Sequence, residues 1–100
     1  MVNCIALALA LVCYTPEQPA YFQFDVETRT PYSLFIDGDP IQANTKYKTE
    51  PLAEVIRVEV EVRYVDGGDV VSRKFFVDIK PGKTCRLKII ISAIPQYARC

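Results

Sequence analysis

The sequence predicts an all-β protein, a small antiparallel β-sandwich with a long hairpin around Gly67-Gly68. Apolar and polar residues alternate with a period of two in several short segments, and clusters of turn residues separate these segments. No segment has the 3.6-residue apolar repeat of a long amphipathic helix. The 100 residues suffice for one domain with a small core.

Two short strands open the predicted domain. In residues 21–27, Phe22, Phe24 and Val26 alternate with polar residues and are expected to face inward. A second strand, Ser33 to Ile36, ends at the turn Asp37-Gly38-Asp39-Pro40. The polar segment from Ile41 to Thr49 is predicted to be a loop, with Tyr47 as a possible anchor.

The long hairpin follows Leu52, and its register can be predicted. With Gly67-Gly68 as a two-residue loop, Val60 faces Phe75 on the inner side. Further inner pairs are Val58 with Val77 and Ile56 with Ile79, and the outer pairs are Glu61 with Lys74 and Arg57 with Asp78. A slip of one residue would destroy the apolar and the ionic pairs together.

The last strand follows the turn Lys80-Pro81-Gly82-Lys83. If the strands on either side of this turn are neighbours, a three-residue connection gives the better register. It pairs Val77 with Leu87, Phe75 with Ile89 and Ile79 with Cys85. Arg73 then falls on the inner face, at a rim where its guanidinium group can reach water.

The two ends of the chain are predicted to lie outside the sandwich. Residues 4–13 are apolar and are typical of the hydrophobic part of a secretory signal peptide, so residues 1–20 are interpreted as a signal-like segment and linker. The alternative is that residues 2–12 form a buried strand or helix. The β-sandwich domain then covers residues 21–92, and residues 93–100 form a C-terminal tail.

The composition argues against several classes of function. Twelve basic and twelve acidic residues balance, so a nucleic-acid partner is not expected. The chain has no histidine, which leaves no side chain with an unperturbed pKa near neutrality and no imidazole metal ligand. Asp37 and Asp39 could contribute to a calcium site, but turn chemistry explains them. We therefore expect no enzyme activity, no metal and no cofactor.

Two groups of residues are candidates for a functional role. Phe35 and Phe76 point away from the predicted core, and with Tyr47 they could bind a sugar or a protein partner. The alternative is that each packs under a loop or a second sheet. Cys85 and Cys100 could form a disulfide closing a loop of about fifteen residues, or Cys85 could be buried and Cys100 free.

Several short motifs, in this order, carry a family resemblance: Phe22-Gln23-Phe24-Asp25-Val26, Leu34-Phe35-Ile36-Asp37-Gly38, Tyr47-Lys48-Thr49-Glu50-Pro51-Leu52, Asp66-Gly67-Gly68 and Lys80-Pro81-Gly82-Lys83. Over residues 21–91 the chain resembles a small uncharacterised domain of secreted planctomycete proteins. It is more loosely similar to PEGA-type surface-protein domains. The resemblance implies an extracytoplasmic β-sandwich and no established activity.

These observations predict a non-catalytic extracytoplasmic module with a structural or interaction role, whether secreted, periplasmic or in the cell envelope. Its partner would be a protein or an envelope polysaccharide, and its mature chain would have no stable membrane span. The alternative is a carbohydrate-binding module that uses Phe35, Phe76 or Tyr47. A third possibility is a partner that adds a strand to an exposed sheet edge.

Overall fold

The computed structural model describes residues 3–7, 10–14 and 16–100, which form an all-β protein. Two sheets enclose the core, and a separate two-stranded hairpin precedes them. The strands are β1 (Asn3–Leu7), β2 (Ala10–Tyr14), β3 (Tyr21–Glu27), β4 (Tyr32–Ile36), β5 (Asp39–Ile41), β6 (Tyr47–Lys48), β7 (Ile56–Asp66), β8 (Asp69–Ile79), β9 (Thr84–Ile90) and β10 (Tyr97–Arg99).

The larger sheet has five strands in the order β10-β8-β7-β4-β5. Its centre is the β7–β8 hairpin, and the predicted register is confirmed, with Val60 opposite Phe75 and Asp66 opposite Asp69. Gly67 and Gly68 form the loop with φ angles of 60° and 86°, a region that is accessible to glycine at little cost. The apolar alternation therefore fixes both the pairing and the inward face of this hairpin.

The smaller sheet has three strands in the order β6-β3-β9. The register predicted for β8 and β9 assumed that these strands are neighbours, and this assumption is wrong. Strand β9 pairs in parallel with β3, with Phe22 opposite Cys85 and Phe24 opposite Leu87. Gly82, at a φ of 69°, donates its N–H to Pro19 O, so the turn leads the chain from one sheet to the other. Cys85, Leu87 and Ile89 would face the core in either sheet, and for that reason their alternation does not identify the neighbour.

The core lies between the inner faces of the two sheets. Valines and phenylalanines of the long hairpin pack against Phe22 and Phe24 of β3. Full burial of such a side chain contributes about 1.5–3 kcal/mol. The buried apolar residues are Ala20, Phe22, Phe24, Leu34, Val58, Val60, Val62, Phe75, Val77, Ile79, Cys85 and Ile89.

Two polar segments contain short strands. Ile36 pairs with Asp39 across the turn Asp37-Gly38, so the predicted turn is tighter than four residues and β5 follows it at once. Asp37 adopts a φ of 48°, and its carboxylate accepts the backbone N–H of Glu59 at 2.9 Å. Residues 41–49, predicted as a loop, include β6, in which Tyr47 pairs with Phe22 of β3.

The C-terminal residues belong to the sandwich. The predicted tail, residues 93–100, contains a strand, β10, which pairs in parallel with β8. A disulfide joins Cys85 to Cys100, with their Cα atoms 5.0 Å apart, and Ala98 packs against the core. A three-residue strand carries little sequence signal of its own, which is why the domain boundary at residue 92 falls too early.

The N-terminal segment contains a hairpin whose backbone register pairs Cys4 with Cys13 and Ile5 with Val12. The predicted signal-like segment also includes residues 1, 2, 8, 9 and 15, which lie outside the described residues. The linker predicted before residue 21 ends earlier than expected. Ala20 is fully buried, and Gln18 forms two backbone hydrogen bonds with Leu52.

Candidate interaction surface

An aromatic pair lies on the outer face of the larger sheet. Phe76 on β8 and Tyr97 on β10 are direct neighbours in the parallel register. Phe76 is 44% exposed, although it is a large apolar residue in a regular strand. The alternation that buries Phe75 and Val77 forces the intervening Phe76 outward, and the pairing of β10 places Tyr97 beside it. We call these two residues the Phe76–Tyr97 pair.

Charged groups surround this pair and hold Tyr97 in place. The Tyr97 hydroxyl donates a hydrogen bond to the Asp78 carboxylate, and Arg57 Nε donates to the same carboxylate at 3.2 Å. The Arg57 guanidinium carbon lies 4.8 Å from the centre of the Tyr97 ring, and that of Arg99 lies 5.8 Å from it. Such cation–π contacts orient the ring while leaving neighbouring Phe76 uncovered.

The ionic contacts on this face stabilise the charged forms of its side chains. The Tyr97 hydrogen bond and then the Arg57 contact lower the pKa of Asp78, and the hydrogen bond to Asp78 raises the pKa of Arg57. The hydrogen bond from Arg63 and then the one from Ser72 lower the pKa of Glu61. Each of these shifts moves a pKa further from neutral pH, whereas a general acid or base requires a pKa near the working pH.

Phe35 lies on the same face as the Phe76–Tyr97 pair but apart from it. Phe35 on β4 is opposite Glu61 of β7, whereas Phe76 on β8 is opposite Glu59. Two strand spacings and a two-residue offset separate their Cα atoms by about 12 Å. The Arg63 guanidinium carbon lies 4.4 Å from the Phe35 ring centre, so one face of this ring is covered.

Tyr47 belongs to the other sheet and packs toward the core. Its ring stacks on Phe22 with a centroid distance of 5.4 Å, and its hydroxyl accepts the backbone N–H of Gln42 at 2.9 Å. Tyr47 therefore contributes to packing, as the alternative interpretation of the aromatics proposed. The structure does not bring the three predicted aromatic residues together on one surface.

By sequence, Tyr97 is among the aromatic residues that could bind a partner, but the sequence does not predict that Tyr97 lies beside Phe76. Its position beside Phe76 depends on the parallel β8–β10 pairing, which connects residues far apart in the chain. The disulfide was the available signal, because a Cys85–Cys100 link draws residues 97–99 back toward the sandwich.

The predicted register of the charged residues in the hairpin is correct, but some of their long side chains form ion pairs with residues other than those directly opposite. Arg57 pairs with Asp78 at 3.2 Å as expected. Lys74, which is opposite Glu61, instead reaches diagonally to Glu59 at 3.7 Å. Glu61 contacts Arg63 on its own strand at 3.2 Å. Such solvent-exposed pairs contribute little to stability, and they keep the face charged.

Comparison with protein-family models, curated proteins and solved structures finds no match. The described residues contain no helix with the length and hydropathy needed to cross a lipid bilayer.

Proposed function

We propose that this protein is a non-catalytic interaction module that works outside the cytoplasm, and that the Phe76–Tyr97 pair is the centre of its binding surface. The exposure of Phe76 beside an oriented Tyr97 is the observation that carries the proposal. Aromatic residues and arginine are enriched at the centres of protein interfaces, and both types meet here. A protein partner is favoured because charges of both signs surround the aromatic pair.

An extracytoplasmic location is supported by two features. The Cys85–Cys100 disulfide is of the kind that persists in oxidising compartments. The apolar N-terminal segment also fits an export signal. Cell fractionation tests the location, and intact-mass measurement of the mature protein shows whether the N-terminal segment is removed. A reduced, full-length cytoplasmic product would contradict the proposed location.

The binding surface can be tested with a matched pair of variants. Ile90 is 41% exposed on the outer face of the smaller sheet, which is the other side of the sandwich, so Ile90→Ala controls for loss of exposed apolar area. We expect Phe76→Ala to reduce retention on immobilised envelope proteins about tenfold or more, as for a central interface residue. Ile90→Ala should retain wild-type binding, and equal losses in both variants would refute the proposed surface.

A carbohydrate-binding module is the second candidate. Phe76 and Tyr97 are cross-strand neighbours on the outer face, and a sugar ring could stack against either aromatic ring. A panel of immobilised polysaccharides, probed with wild type and Phe76→Ala, separates this candidate from the first. Retention on a glycan that depends on Phe76 would favour it, and the absence of retention on every glycan would exclude it.

A further inference from the structure

A groove of about 610 Å³ lies at one end of the sandwich, away from the Phe76–Tyr97 pair. It exists because β7 and β8 have 11 residues each, whereas β3 and β9 have 7. The longer hairpin therefore extends past the smaller sheet. The β3–β4 connection and the 3-10 helix Ile91–Ala93 after β9 line the opposite side of this space, which we call the end groove.

Arg73 occupies an unusual position in the end groove. It lies opposite Val62, in the alternation that sends Phe75 and Val77 into the core. Its side chain is nevertheless exposed, because the smaller sheet does not cover this part of β8. A cation is thus directed to the side of the sheet on which the neighbouring residues are apolar, and it emerges in the groove.

Arg29 brings a second cation to the end groove from the β3–β4 connection. Within the described part of the chain, neither Arg29 nor Arg73 has a carboxylate oxygen within 4.0 Å of its side-chain nitrogens. By contrast, five cations on the outer faces of the two sheets do have such a partner: Arg57, Arg63, Lys74, Arg86 and Lys88. The two groove arginines are thus left to interact with water or a ligand.

Hydroxyl groups and acids complete the lining of the end groove. Tyr64 and Ser92 supply hydroxyl donors. Two carboxylates also line the groove, but Glu27 is paired with Lys88 at 3.2 Å. The other carboxylate is Asp66 at the hairpin tip, whose negative charge partly offsets the positive charge of the two arginines.

We propose that the end groove binds an oxyanion, the carboxylate, sulfate or phosphate group of a ligand. The planar guanidinium groups of Arg29 and Arg73 donate paired hydrogen bonds to its oxygens, and the hydroxyls of Tyr64 and Ser92 add single donors. This site is separate from the proposed interaction surface, and neither depends on the other.

Titration of the uniformly ¹⁵N-labelled full chain with sulfate, phosphate and glucuronate, followed by NMR, tests the proposal at constant ionic strength. We expect saturable shifts of the Thr28, Thr30 and Ser92 amides and of the Arg73 Nε–Hε signal. Tighter binding of glucuronate would assign a carboxylate ligand, and tighter binding of sulfate or phosphate would assign a tetrahedral one. Shifts that do not saturate, or that centre on the Phe76–Tyr97 pair, would overturn the proposal.

Three variants sharpen the test. Arg73→Gln should weaken binding about tenfold, because it removes a charge-assisted hydrogen bond. Asp66→Asn should strengthen binding, because it removes the opposing charge. Arg99→Gln is the matched control, an exposed arginine on the outer face beside Tyr97. Equal weakening by Arg99→Gln and Arg73→Gln would show that net charge alone acts and would refute the site. Dispersed amide spectra confirm that each variant is folded.

Discussion

The disulfide between Cys85 and Cys100 is expected to be a major source of stability. It closes a separation of 15 residues and ties β10 to the smaller sheet. In the chain-entropy model a loop of this size contributes about 3 kcal/mol to the free energy of unfolding. For a domain of this length that corresponds to a change of about 12–24 °C in melting temperature.

The variant Cys100→Ala isolates this contribution. It removes the bond but retains the Cys85 side chain, which is buried in the core. Urea denaturation of the oxidised wild type and of Cys100→Ala, followed by circular dichroism, gives the two free energies of unfolding. The response of Cys100→Ala to a reductant measures the contribution of the remaining cysteines. A difference below about 0.5 kcal/mol between the oxidised proteins, the size of an ordinary surface substitution, would refute this account of the C-terminal strand.

Three further predictions concern the core, a turn and the Asp78 carboxylate. Val60→Ala should lower the free energy of unfolding by about 2 kcal/mol or more, because Val60 is fully buried at the centre of the hairpin. Val70→Ala, at a site 73% exposed, is the control. Equal losses of unfolding free energy in the two variants would contradict the assigned inner face. Gly82→Ala should lower the free energy of unfolding by about 1–2 kcal/mol, because Gly82 has a positive φ of 69°. An unchanged denaturation midpoint would show that the turn has another conformation. The Tyr97 hydrogen bond lowers the pKa of Asp78 in the folded protein. The contribution of this hydrogen bond to the free energy of unfolding is therefore complete above the ordinary pKa of 3.8, and it is lost as the pH falls through the lowered pKa. The difference in unfolding free energy between wild type and Tyr97→Phe should therefore shrink with acidification, and a constant difference would argue against this hydrogen bond.

The sequence predicted the parts of the fold that depend on neighbouring segments. The β7–β8 register was predictable because a two-residue glycine turn and two sets of cross-strand pairs agree on one alignment. The inward faces of β3 and β9 were predictable from the alternation of apolar and polar residues along each strand. Alternation does not identify the neighbour of a strand, and the parallel β3–β9 pair connects distant segments, so that part of the prediction failed.

The candidate surface was predictable only in part, for a related reason. The outward position of Phe76 follows from the alternation along one strand, and its exposure agrees with that expectation. Its pairing with Tyr97 depends on a three-residue strand that a distant disulfide helps to hold. The inward packing of Tyr47 depends on its contact with Phe22, which the local polar sequence does not indicate.

The placement of β10 underlies the account of both the fold and the binding surface, and NMR measures it directly. In the oxidised protein we expect backbone nuclear Overhauser effects of a parallel strand pair between β10 and β8, with Tyr97 beside Phe76 and Ala98 beside Val77. Backbone cross-strand contacts should join Phe24 to Leu87 and be absent between Val77 and Leu87. The absence of backbone contacts between β10 and β8, or a β9 strand paired with β8, would contradict the account.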